Sequence, residues 1–295
     1  MKIIDCTTYY SEDLMLDVRF NILNEHVSKF IIVESVYSHS GKKKKLNFDI
    51  NNFSKFKDKI RYLVIEEEPK NIDKNINLTS EIKRKNSILR IEQSYDFMMD
   101  AIKDAEGKDL ICLSDNDEIP NFNSKDFKNT QNDIMIFKQA FFYYKFNLFY
   151  DLMPWYGTKA CTKDKLISLS WLRNLKNKKY PLWRLDTYFS KLKQRNLSII
   201  NDGGWHFTNL KSAEEIYEKL TNFGHHNEFD ESKITVTDIQ KLIDERIVNY
   251  NHKVDKSKDD KYSANYKLKL IGDEKLPKYL IDNKNKYLKW FDHND

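Results

Sequence analysis

Four short apolar runs are spaced through the first 115 residues: 2–6 (KIIDC), 29–34 (KFIIVE), 60–65 (IRYLVI) and 109–114 (DLICLS). Runs of this length read as buried strands, and between them lie stretches with helical spacing. Ser11 is placed to cap a helix carrying Leu16, Phe20 and Leu23. A longer helix is predicted from Thr79 or Ser80, with Ile82, Leu89, Tyr95, Met98 and Ile102 on its apolar face. Strands that alternate with helices build a mostly parallel central sheet flanked by helices, so the predicted class is α/β. In such a sheet ligands bind at the carboxyl ends of the strands. Only 7 Gly and 5 Pro among 295 residues, with 40% hydrophobic content, exclude a disordered or loop-rich all-β chain. That size suits one large domain with or without an appended lobe. The division expected is a domain over 1–250, then a charged linker and tail over 251–295 that packs on the same domain.

The fourth strand runs directly into SDNDEIP, which puts three carboxylates within four residues, 115–118. Carboxylates gathered at a buried strand end repel one another, so each needs water, a basic partner or a cation. In an extended backbone residues i and i+2 face the same way. Asp115 and Asp117 are therefore candidate ligands for one Mn²⁺ or Mg²⁺ ion that also takes diphosphate oxygens. Acidic turns after strands are common, and the triplet alone is a weak signal. Neither a Gly-x-Gly-x-x-Gly nor a P-loop motif accompanies the early strands.

A second constellation is GGWHF at 203–207. Its glycines permit close backbone approach, Trp205 offers a flat face for a sugar or base, and His206 is a candidate metal or phosphate ligand. The plainer alternative is a tight turn before a core strand. The loop at 38–45 (SHSGKKKK) leaves the second strand end, though four consecutive lysines usually mark a solvated surface. Adjacent histidines at 225 and 226, near Glu228, point in different directions and do not make a paired metal site. The aromatic run from Asp133 suggests a hairpin or an extension of the sheet. Two later helices are expected from capping boxes at Ser212-x-x-Glu215 and Thr237-x-x-Gln240.

Fifty basic and 45 acidic residues leave a net charge of +5, too small to call for nucleic acid. An anionic substrate such as a nucleotide diphosphate is served equally well, and the charge leaves contact with a membrane surface open. Three cysteines without C-x-x-C spacing read as free thiols in a reducing compartment. No apolar stretch long enough for a signal peptide or a membrane span is present. The expected location is cytoplasmic.

In order along the chain, Asp5-Cys6, EDLMLDVR at 12–19, IVES at 32–35 with His39-Ser40-Gly41, 81–88, SDNDEIP, GGWHF and HNEF at 226–229 assemble into a pattern. It resembles glycosyltransferase family 17, the family of β-1,4-mannosyl-glycoprotein β-1,4-N-acetylglucosaminyltransferase. That resemblance implies a GT-A-like nucleotide-sugar fold, a UDP-sugar donor with N-acetylglucosamine as the sugar, a saccharide or glycoconjugate acceptor, and a divalent metal at Asp115 and Asp117. Residues 145–201 match poorly, and Lys85 stands where the family tends to have Arg.

The expected reaction is an inverting, metal-dependent transfer. Asp115, Asp117 and His206 are the expected metal ligands. Glu34, Lys85, Asn86, Asp115, Trp205 and His206 are the expected donor contacts, and Glu228 or Asp186 the base. A metal-dependent phosphohydrolase or nuclease would use the same carboxylates. A non-catalytic carbohydrate- or nucleic-acid-binding module would use the 17 Tyr, 18 Phe and 5 Trp instead, and gives no reason for the acidic cluster.

Overall fold

The computed structural model describes residues 1–293 except 76–77, 179, 182, 223–228, 230–231 and 253–260. The four apolar runs are strands β1 (Ile3–Thr8), β2 (Lys29–Ser35), β3 (Ile60–Ile65) and β4 (Leu110–Ser114). β1 lies between β2 and β4, β3 lies beyond β2, and all these pairings are parallel. Helix α1 (Asp13–Leu23) follows β1, and α2 (Ser80–Phe97) precedes β4. Alternate strand residues face opposite layers, as a pleated strand requires. Ile3, Phe30 and Ile32 pack with Phe20 and Phe53 on the α1 side, whereas Ile4, Ile31 and Val33 pack with Tyr95 and Met98 on the α2 side.

The second half of the chain enlarges this sheet. β5 (Glu118–Pro120) and α3 (Lys125–Asn129) lead to the long β6 (Ile134–Tyr143), then β7 (Leu148–Phe149) and β8 (Trp155–Thr162). β8 inserts antiparallel between β4 and β6, which makes the aromatic run an extension of the central sheet. After α4 (Leu169–Asn174) and α5 (Asp186–Phe189), β9 (Leu197–Ile200) and β10 (Gly204–Thr208) each pair parallel with β6. β10 also pairs antiparallel with β5. The molecule is thus α/β, a large, mostly parallel central sheet flanked by helices, with antiparallel strands added on the C-terminal side.

Helices α6 (Ala213–Asn222) and α7 (Val236–Asp244) bury a third cluster with Phe141, Tyr143 and Phe229. Short strands β11 (Ile247–Val248), β12 (Tyr266–Lys267) and β13 (Lys269–Leu270) complete that end, followed by α8 (Lys278–Asp282). The tail packs on the body of the protein: Leu276, Leu280 and Phe291 join the cluster beneath α1, and the Tyr287 hydroxyl donates to Asp17 at 2.6 Å. The charged segment expected as a linker falls on 253–260, outside the described residues.

Four helix starts test the capping argument. Thr79 caps α2, its hydroxyl accepting from the Ile82 amide at 3.3 Å. Ser212 and Glu215 form the expected reciprocal box. The second box is displaced by two residues: Thr235 and Asp238 cap α7, not Thr237 and Gln240, because Asp238 returns to the Thr235 amide at 2.9 Å. Ser11 does not cap α1 either. Glu12 occupies that position, and its carboxylate turns back to accept from the Tyr10 and Ser11 amides. Among the described residues, no helix is long and apolar enough to cross a membrane.

Candidate active site

The turn after β4 is fixed from below by a buried arginine. Arg19, on α1 and fully buried, donates from Nε and Nη2 to the two oxygens of Asp5 at 2.7 and 2.6 Å. Its remaining nitrogen, Nη1, donates to the Glu118 carbonyl. A buried bidentate pair of this kind is directional, so the central strand β1 sets where residue 118 sits. From the side, the Phe207 amide donates to the Asp117 carbonyl at 2.8 Å. Close approach of β10 to β5 depends on Gly204, whose φ is +119° and where a Cβ would stand 2.1 Å from the Ile119 carbonyl oxygen.

Each acidic side chain then meets a different environment. Asp115 accepts from the Tyr95 hydroxyl and from Arg173 Nη2, both at 2.8 Å. Burial pushes its carboxyl upward, but Arg173 and Tyr95 outweigh that and hold it below the usual range. Arg173 is itself positioned by Lys159 of β8, whose ammonium donates to the Arg173 and Leu175 carbonyls at the end of α4. Burial, then the nearby Arg173 charge, lowers that ammonium to about 8. Asp117 has Lys219 of α6 at 3.6 Å. Glu118 is buried beneath the turn, accepting from Trp155 Nε1 at 2.7 Å and from the Asp115 amide at 3.0 Å. Burial, reinforced by the Asp115 charge, pushes it up to about 7. His206 Nδ1 lies 4.0 Å from Glu118 and has no hydrogen-bond partner among the described residues. Burial lowers this imidazole to about 4, so it is neutral at pH 7.

Asp115, Asn116 and Asp117 open onto a cavity of about 660 Å³ with two unlike walls. One is polar and basic, from the ends of β1 and β2 and from α2: Thr8, Ser38, His39, Arg84 and Arg90. Arg90 is tied to Glu68 and to the His39 carbonyl, which fixes the 38–41 loop against α2. The other wall is aromatic, with Phe141, Tyr143, Trp155, Tyr250 and His252. There the Tyr143 hydroxyl is hydrogen-bonded to His252 Nε2, and Trp155 packs against His206 with ring centres 4.5 Å apart and planes tilted by 43°.

Three of the expected site residues, Asp115, Asp117 and His206, meet at this cavity. Trp205 does not: alternation along β10 turns it to the opposite face, where its indole donates to the Lys275 carbonyl at 2.7 Å. Glu34 is buried and saturated by Lys44, the Asn47 and Phe48 amides and the Tyr62 hydroxyl, so it pins the 44–48 loop. Asn86 exchanges two hydrogen bonds with the backbone of Asp73, and Lys85 is exposed on α2. Asp186, the exposed first residue of α5, is paired with Arg184 and Lys193 and is not part of the cavity lining. Glu228 lies outside the described residues, although its neighbour Phe229 lines the cavity. Arg173, Tyr95, Trp155, Arg84, Arg90, Lys219 and His252 are among the cavity residues the sequence reading missed. Tyr95 and Arg84 lie on the face and turn of a helix the pattern did locate, but nothing in their spacing marks them as polar ligands.

What the carboxylates could hold is limited by the partners they already have. Asp115 is committed to Arg173 and Tyr95, and among the described residues no group of three or more metal-ligating side chains is assembled. That fits an ion held by one or two carboxylates that draws its other ligands from phosphate oxygens and water, the usual habit of Mg²⁺.

Several solved structures share distant likeness with this chain. HddC from Yersinia pseudotuberculosis is 12% identical, with 68% of this chain and 90% of that one covered and a TM-score of 0.33. A putative glucose-1-phosphate thymidylyltransferase from Bacillus anthracis in complex with a sucrose is 13% identical, covering 68% and 86%, also at 0.33. The inositol-1-phosphate CTP transferase from T. maritima is 12% identical, covering 75% and 96%, again at 0.33. No curated protein matches the chain. The family description that does match, over residues 1–291, is Glycosyltransferase family 17, and the protein belongs to that family.

Proposed function

We propose that this glycosyltransferase moves a sugar from a nucleoside-diphosphate sugar to a saccharide acceptor on a GT-A-like sheet, with inversion at the anomeric carbon. UDP-N-acetylglucosamine is the donor the family resemblance implies. The observation that carries the reading is the placement of Asp115–Asn116–Asp117 at the carboxyl end of β4, facing a cavity with one basic and one aromatic wall. Arg84 and Lys219 line the cavity with cationic groups suited to a diphosphate, Arg90 being paired with Glu68, and the aromatic wall offers flat faces to a sugar ring. Asp115, oriented by Tyr95 and Arg173, presents a preorganised acceptor to a hydroxyl of the donor.

Asp117 is the residue assigned to hold Mn²⁺ or Mg²⁺, with His206 beside it on the cavity wall. Such an ion, when bound, offsets the charge that develops on the departing diphosphate. In the transfer itself, an acceptor hydroxyl oxygen bonds to the anomeric carbon as the bond from that carbon to the diphosphate oxygen breaks, and the hydroxyl proton passes to a carboxylate. Asp186 is a poor candidate for that base. Hydrogen bonds from Arg184 and Lys193 hold its carboxyl well below the usual range. Of the two expected bases that leaves Glu228, which lies outside the described residues and precedes the cavity residue Phe229 in the sequence.

The test is Asp117→Asn, read by thermal shift with a UDP-sugar in Mn²⁺ or EDTA and by transfer to acceptor. A donor at about 100 times its dissociation constant adds roughly 2.7 kcal/mol to the native state. The expected result is that the metal-dependent part of this shift and the transfer rate both collapse while the unliganded melting temperature holds. Unaltered transfer, or equal shifts in Mn²⁺ and EDTA for the wild type, would overturn the metal assignment. UDP release that is indifferent to acceptor would point to hydrolysis instead.

A further inference from the structure

We propose that the described residues of 176–195, all but 179 and 182, form a docking surface for an anionic lipid bilayer. This goes beyond the transfer reaction and does not depend on the identity of its substrates. Of the five most exposed large apolar side chains among the described residues, four fall in this one segment: Phe189 at 90%, Trp183 at 75%, Leu185 at 69% and Tyr188 at 64%. Single exposed apolar residues are ordinary, but four bulky ones within seven positions form a patch that needs an occupant.

Their exposure is built into the loop. The Lys176 amide donates to the Leu192 carbonyl at 3.0 Å, and Trp171 Nε1 donates to the Lys191 carbonyl at 2.8 Å, closing the base of the segment. Inside it, Arg195 stacks 3.5 Å from the Tyr188 ring centre and donates to Thr187 Oγ1 at 2.6 Å. The polar atoms thus hold one another while the apolar groups project.

Charge selects the occupant. Residues 176–195 carry seven Lys or Arg and one acid, Asp186, which Arg184 and Lys193 already neutralise. Protein–protein interface centres are depleted in lysine, whereas Trp, Tyr and Phe ringed by Lys and Arg match the headgroup region of an anionic bilayer. The segment begins three residues after Arg173, so docking through it brings the cavity's α4 side towards the membrane.

The full chain would be sedimented with vesicles of phosphatidylcholine alone or with phosphatidylglycerol added. Wild-type protein should sediment with the anionic vesicles, about tenfold more weakly with neutral ones, and less at high salt. Two variants separate the contributions: Trp183→Ser with Phe189→Ser removes the apolar tips, and Lys178→Gln with Lys191→Gln removes charge. Each should weaken binding about tenfold with melting temperature unchanged. The proposal is overturned if folded wild type ignores anionic vesicles or if both variants bind as well as wild type. It is equally overturned if light scattering shows a wild-type dimer that the apolar variant converts to a monomer, since the patch then belongs to a second copy.

Discussion

The 115–118 turn and the 184–193 loop both press carboxylates against arginines, yet their partners come from opposite distances along the chain. Asp115 is held by residues 20 and 58 positions away, the Glu118 carbonyl by one 99 away, and the Glu118 side chain by one 37 away as well as by the Asp115 amide within the turn. Asp186 is held by neighbours two and seven positions away, in open solvent. A local, exposed pair forms and breaks without consequence for the fold. A pair assembled from several elements is anchored by the packing of each, and holds its charge in place while the cavity beside it fills and empties.

Arg19→Ala should break the first arrangement most severely. It strands the buried Asp5 carboxylate and frees the Glu118 carbonyl, so a loss of about 3–5 kcal/mol is expected in urea unfolding. A loss below about 1 kcal/mol would mean that the turn is not held from α1.

Glu118→Gln sharpens the comparison through pH. Glu118 titrates at about 7 in the folded chain against an ordinary 4.5, so its contribution to stability is present below 4.5 and is lost as pH rises through 7. His206 runs the other way, its contribution present above 6.5 and lost as pH falls towards 4. In the wild type the two offset each other between 4.5 and 6.5. With glutamine at 118 only the histidine dependence remains. The variant should therefore gain on wild type, by something of order 2 kcal/mol, when unfolding is measured at pH 7.5 instead of pH 5. A constant difference across that range would show that Glu118 is not protonated by its surroundings.

A smaller effect is expected from Arg173→Gln. Both partners of the Asp115 pair are 31% exposed, so screening limits the stability loss to about 1 kcal/mol. Donor affinity should fall about tenfold in a binding titration, because Asp115 is no longer oriented. Least of all, Asp186→Asn should leave both melting temperature and transfer unmoved. A drop in transfer per folded molecule would restore Asp186 as the base.

How much of this was legible follows from the same contrast. The four parallel strands and the acidic turn could be read because apolar runs and a charge cluster are local patterns, and the strand ends are off by at most two residues. Trp205 and His206 were read as one unit, but strand alternation sends them to opposite faces, and a pentapeptide with two leading glycines does not say which face is which. The family resemblance makes Glu34 an expected donor contact, whereas its four donors come from a loop and a neighbouring strand invisible to spacing. Arg173 lies within 145–201, where no sequence motif marks it. Only the insertion of β8 beside β4, and Lys159 reaching the end of α4, bring it to Asp115.

β10 is threaded between β5 and β6, pairing with one on each side. During synthesis those two flanking strands leave the ribosome some sixty residues before the strand that joins them, so the nascent chain carries an open slot where residues 204–208 belong. Until that slot is filled, Glu118 lacks its imidazole neighbour and the Asp117 carbonyl its amide donor. Maturation of the site is therefore a late event in translation, and protease resistance at 118–120 should arise on stalled nascent chains only after residue 208 has cleared the exit tunnel.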